Sequence, residues 1–266
     1  MTKKKDDSAA PEHEASRKAI LAAAVREFAL LGEAGARMES IAQAAGVNKA
    51  LLHYYFGTKE RLYNTALDSV FQGMLERLMA SLQHPGSAGA KILRFALAHF
   101  DYLAGNLVHP RLVGHEMMRA RSGGSGQMQR LFATYLAPVR AEGRRLMREG
   151  MASGELRQVT PEQVFTSITG QNVFYFISAP INRMLSGNNP MERGALQQRR
   201  EAILDFAAAA LFTDRAAGLR LARDILQSTP LAIAEEHRLA PPESCPPVHK
   251  VRSPKTAGAA KRQRLI

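Results

Sequence analysis

The chain has 266 residues, 45% of them hydrophobic and 23% charged, with a formal net charge of +12 and one cysteine. This is the balance of a globular chain with room for one large or two modest domains, and no apolar run reaches the ~20 residues that cross a bilayer. Cys245 has no partner for an intramolecular disulfide, and its proline-rich setting supplies nothing to activate the thiol.

The excess positive charge points to an anionic partner, but its position matters. Residues 240–266 carry six basic side chains against one acidic, whereas residues 13–62 carry seven against five. The opening MTKKKDDSAAPEHE is polar and lacks a hydrophobic run, so residues 1–14 are expected to be a disordered basic arm and not a secretory signal. A cytoplasmic location is the default expectation.

From Ser16, Ile20, Ala24, Phe28 and Leu31 recur at spacings of four and three, which predicts a helix capped by Ser16 and stopped at Gly32 or Gly35. The next stretch, ESIAQAAGVNKALLHYYF over 39–56, reads as two short helices joined at Gly46, with Asn48 as the N-cap of the second. Two helices so closely joined cross steeply, which is the helix-turn-helix arrangement. Leu52 and Phe56, four apart, lock the second helix to the core and leave Lys49, Ala50, His53 and Tyr54 on its outer side. In such a motif the second helix enters the major groove. Lys59, after the capping Thr58, is placed to reach a phosphate.

The run through GVNKALLHYYFGTKERLY resembles the signature of the tetracycline-repressor (TetR/AcrR) family of transcription regulators. Ile41, Ala42, Ala45, Gly46, Val47, Leu52, Tyr55, Phe56, Lys59, Glu60 and Leu62 fill its positions, and the likeness covers about residues 16 to 65. It implies an all-α fold, with an N-terminal three-helix DNA-binding domain (15–62) and a larger helical ligand-binding and dimerisation domain (63–228). Ala36-Arg37 stands where the family has a capping Thr or Ser, so Arg37 can contact phosphate but the cap must come from elsewhere. Leu51 and His53 stand where Thr and Tyr are common, which alters the bases read. The candidate DNA-binding residues are Arg37, Asn48, Lys49, Ala50, Leu51, His53, Tyr54, Tyr55 and Lys59.

Further on the pattern predicts only helices: one long one from Thr58 to the His84-Pro85 stop, then 89–106, 110–121, 127–153 with a kink at Pro138, 161–180, 195–212 and 215–227. Residues 229–266 read as a disordered basic tail. Helices 161–180 and 195–212 are apolar beyond one narrow stripe, which predicts burial on several sides and pairing with a second copy. A cavity for a small-molecule inducer is expected among the later helices, with Phe95, His99, Phe100, Tyr102, Met117, Phe132, Tyr135, Phe174 and Tyr175 as candidate lining. Arg140, Arg144, Arg145 and Arg148 offer charge for an anionic ligand, but at i, i+4, i+8 three of them share one face, and the cluster reads as a solvated basic stripe.

No catalytic residue, cofactor or metal site is assigned: His109, His115 and Glu116 lack a ligand spacing, and no HExxH or nucleophile elbow occurs. The expected function is a repressor released by an inducer, acting as a homodimer on a palindromic operator in double-stranded DNA. The alternatives are an architectural DNA binder using the tail, and a helical enzyme.

Overall fold

The computed structural model describes residues 9–121 and 125–232. The Lys3–Lys5 arm and the tail beyond residue 232 lie outside the described residues. Eleven α-helices occur among them, with no strand; Leu156 and Phe212 form an isolated antiparallel bridge. No described helix is long and apolar enough to cross a membrane.

Helix α1 (Ala9–Gly35) begins seven residues before Ser16, so residues 9–14 are helical and not part of a disordered arm. The backbone breaks from helical geometry at Gly32, as that glycine's freedom allows. Helix α2 (Met38–Ala44) has an extended Arg37 at its N-cap and no side-chain cap. Its end is a Schellman motif around Gly46, whose φ is +68°: the N–H of Gly46 donates to Gln43 (3.1 Å) and that of Val47 to Ala42 (3.0 Å). One residue later Asn48 caps α3 (Lys49–Phe56), its Oδ1 accepting from the N–H of Leu51 at 2.8 Å. The steep helix-turn-helix joint is thus closed by backbone bonds on one side and a side-chain cap on the other.

Thr58 caps α4 (Lys59–Gln83), which runs unbroken from the motif into the larger domain. Its buried residues belong to one continuous core: Leu62, Tyr63 and Ala66 lie with Phe28, Leu52 and Phe56, and Phe71, Met74 and Leu78 with the later helices. Helix α5 (Ala88–Gly105), capped by Ser87, is buried along most of its length and touches α4, α8, α9, α10 and α11.

Helix α6 (Val108–Arg121) starts two residues earlier than expected. Pro110 falls in its first turn, where no backbone N–H is needed, so it does not break the segment. The predicted single helix over 127–153 is in fact α7 (Ser125–Leu131), a π-helical turn (Phe132–Leu136) and α8 (Ala137–Ala152). Pro138 has no N–H for the carbonyl four residues back, and the widened turn absorbs that loss. Helix α9 (Pro161–Ser186) continues past Pro180 to a left-handed Gly187. Helices α10 (Arg193–Leu211) and α11 (Arg215–Ser228, capped by Asp214) complete the fold.

Two features fix the larger domain. Gly143 on α8 lies so close to Phe165 on α9 that a β-carbon there would overlap the ring. Arg200, 1% exposed, makes a bidentate pair with Asp101 of α5 at 2.9 and 3.0 Å and donates to the Thr229 carbonyl at 2.6 Å. A buried guanidinium so fully bonded holds α10, α5 and the end of α11 in one arrangement.

Candidate nucleic-acid interface and interior cavity

Helix α3 presents two distinct sides. Leu52 is fully buried and Phe56 nearly so, while Asn48, Lys49, Ala50, His53 and Tyr54 are exposed and Leu51 is half-buried. Tyr54 is 75% exposed, its ring meeting only the edge of Tyr55 among the described aromatic residues. Arg37 is also exposed, at the start of α2.

Besides the capping Asn48, four of the sequence candidates have local hydrogen-bond partners. Lys49 forms an ion pair with Glu39 of α2, which holds the Glu39 carboxyl below its usual range through the hydrogen bond from Lys49. The Nδ1–H of His53 donates to the carbonyl of Gly57 at 2.7 Å, which fixes the ring and leaves Nε2 facing away from that bond. The Lys59 ammonium donates to the carbonyls of Ala34 and Ala36 at 3.4 and 3.3 Å, closing the end of α1. Lys59 thus also closes the head, with one N–H left over for the phosphate contact expected of it. Tyr55 is also turned away from the outer side: it is half-buried and its hydroxyl bonds His13 of α1 at 2.6 Å.

Behind this head lies a polar junction that sequence periodicity did not reveal. The Tyr63 hydroxyl of α4 donates to Glu116 Oε1 of α6 at 2.6 Å. Arg119 of α6 bonds the same carboxylate at 3.3 Å and also pairs with Glu33 of α1. Burial and the adjoining Glu116 push the Tyr63 hydroxyl well above its usual range. One buried carboxylate, fully enclosed, thus ties three helices together, with its Oε2 unbonded among the described residues.

The same α6 helix borders an interior cavity of about 180 Å³. Its walls are Phe71, Met74 and Leu78 of α4, Phe95 and His99 of α5, and His109, Pro110 and Val113 of α6. The remainder comes from Phe132, Leu136, Val139, Arg140, Phe165, Thr169 and Val173. Of the nine sequence candidates, Phe95, His99 and Phe132 line it. The others do not: Phe100 is solid core against Tyr175 and Phe176, and Tyr102 donates to the Val70 carbonyl. Tyr135 stacks behind Phe71 and bonds Asp68, while Met117 and Phe174 are exposed. Arg140 is not only part of a solvated stripe: its guanidinium lies over the Phe132 ring and its side chain lines the cavity wall.

Burial holds His99 at a pKa of about 4 and His109 at about 3, so both rings are neutral near pH 7. Among the described residues no cluster of His, Cys, Asp and Glu can hold a metal ion.

Comparison with known proteins agrees with this architecture. Residues 20–66 match the model described as "Bacterial regulatory proteins, tetR family", and residues 90–206 match "Tetracyclin repressor-like, C-terminal domain". The HTH-type transcriptional regulator RutR of Escherichia coli K12 is 46% identical over 66 residues, 25% of this chain and 31% of RutR. The chain thus spans about a third of the length of that curated relative. The HTH-type transcriptional repressor SCO4008 of Streptomyces coelicolor is 33% identical over 138 residues, 50% of this chain and 67% of the repressor. Among solved structures, the ketosteroid transcriptional regulator KstR2 of Mycobacterium tuberculosis superposes with a TM-score of 0.59 at 16% identity, covering 74% of this chain and 95% of KstR2. That likeness shows the all-α fold. With both halves matched in order, and two thirds of SCO4008 covered, the chain belongs to the tetR family of bacterial regulatory proteins.

Proposed function

We propose that this protein is a ligand-responsive transcriptional repressor that binds a palindromic operator in double-stranded DNA as a homodimer and releases it when a small molecule enters the interior cavity. The observation that carries the reading is the two-sided α3: Leu52 and Phe56 clamp it from within, and Lys49, Ala50, His53 and Tyr54 are exposed outside. Small residues at the helix start permit close approach, and Lys49 and Arg37 supply the charge that positions a helix on a phosphate backbone.

A dimer is supported by what α9 and α10 leave uncovered. Phe174, Ile177, Ile181, Met184 and Leu185 on α9 and Phe206 on α10 are each more than half exposed. An apolar surface of this kind, on helices that also pack inward, is suited to the same helices of a second copy. Pairing there sets two α3 helices side by side, as half-sites one duplex turn (about 34 Å) apart require.

Release follows from α6. One end of it borders the cavity through His109, Pro110 and Val113, and the other holds α1 and α4 through Glu116 and Arg119. A ligand that favours a shifted α6 therefore changes the seating of the DNA-binding head, and a preference of about 1–3 kcal/mol between the two states is enough. Selection of bound duplexes from a random pool tests the reading: a palindrome with two half-sites is expected, and enrichment without symmetry overturns it.

A further inference from the structure

The cavity's polar groups are few and unequal. Arg144 pairs with Glu162, and Arg145 with Glu142 and Glu149, but among the described residues no carboxylate lies within ion-pair distance of Arg140. Its guanidinium lies over the Phe132 ring, 5.8 Å from the centroid, and the ring satisfies no N–H. A half-buried arginine with no carboxylate partner, set into a largely apolar wall, is a ready partner for an anion.

A second pair of groups sits deeper. Asn172 donates to the Ala96 carbonyl at 3.0 Å and faces His99 Nδ1 at 3.2 Å, so Nδ1 accepts and the His99 proton is on Nε2. His109, between the rings of Phe71 and Tyr102, has a buried Nδ1 without a partner among the described residues. Buried polar atoms are seldom left unbonded, and both rings are on the cavity wall. They offer hydrogen bonds without charge.

Resting on the reading above that the cavity takes the inducer, we propose that its ligand is an apolar carboxylate with a ring body and a second, neutral oxygen. The carboxylate pairs with Arg140, the body packs among Phe71, Phe95 and Phe165, and the second oxygen bonds a buried histidine. A cationic ligand would meet Arg140 with like charge, and a purely hydrocarbon one would leave Arg140 and His109 desolvated and unbonded.

Three probes separate these contributions: 4-phenylbutyrate, 4-(4-hydroxyphenyl)butyrate and the uncharged 4-phenylbutan-1-ol. Calorimetric titration of the full chain, without DNA, should give both acids at least about tenfold tighter than the alcohol, as a charge-assisted bond implies, with the hydroxylated acid tightest. Arg140→Gln should abolish the acid-over-alcohol preference, and His109→Phe the advantage of the hydroxylated acid. His109→Leu serves where the phenylalanine variant melts early. An alcohol that binds as well as the acids, an Arg140→Gln variant that still prefers them, or no binding of either acid at millimolar concentration overturns the proposal. Acid binding that leaves operator affinity unchanged upholds the ligand chemistry and removes the inducer reading instead.

Discussion

Lys49 is committed to Glu39 within the head, and that ion pair competes with any phosphate. Both groups are well exposed, so the pair itself adds little to stability. Glu39→Gln is therefore expected to raise duplex affinity by a few-fold on all sequences, with a larger gain at low salt, in filter or fluorescence binding assays. His53 differs, because its Nδ1 is fixed by Gly57 and only Nε2 is available to a base edge. His53→Ala should cost about 1–3 kcal/mol at one base position and little at others. Equal loss on every sequence would move it to the backbone contacts. Lys59→Ala, by contrast, should lower the melting temperature as well as affinity, since its ammonium closes the end of α1.

Among the elements, α3 and the α6 junction lend themselves to separate tests. Leu52→Ala removes a fully buried side chain from behind α3 and should cost roughly 2–5 kcal/mol of stability by denaturant titration. Tyr63→Phe keeps the ring against Phe28 but leaves Glu116 without its shortest donor. Its expected effect is on coupling: ligand and operator should each still bind while one affects the other less, as paired titrations would reveal. The helix-turn-helix was legible in the sequence because its signals are local: Gly46 ends one helix, Asn48 starts the next, and Leu52 with Phe56 sets the face. The cavity was not, since its wall draws on α4, α5, α6, α8 and α9 at once. Aromatic residues such as Phe100 and Phe174 look alike in sequence whether they end in core or at the surface. Arg140 was misread for a related reason, as its spacing from Arg144 and Arg148 carries no sign of the Phe132 ring and the cavity beside it.

For the molecule as a whole, the buried histidines set an acid limit. With folded-state values of about 4 and 3 against 6.5 in an open chain, His99 and His109 take up protons on unfolding once the pH drops below 6.5. Stability is full above that pH and falls as the medium is acidified toward 4 and then 3, by about 2 kcal/mol per histidine at pH 5. Denaturant midpoints at pH 7.5, 6 and 5 should show the slope, and His109→Phe should flatten it. Assembly is tested separately: Phe206→Glu together with Ile181→Glu should leave a folded monomer in sedimentation and abolish cooperative occupancy of paired half-sites.

Helix α4 carries one more implication. Its first turns, with Leu62 and Tyr63, seat the DNA-reading head, and Phe71 and Met74, about 12 to 18 Å along the same rod, wall the chamber. The two specificities are thus inscribed on one uninterrupted strut, and a hybrid regulator made by exchanging heads must be spliced inside it. A graft cut between Ala66 and Val70 would keep Tyr63 with its own Phe28 and leave the chamber wall whole, whereas a cut at the apparent domain edge near residue 62 would set one parent's Tyr63 against the other's Phe28.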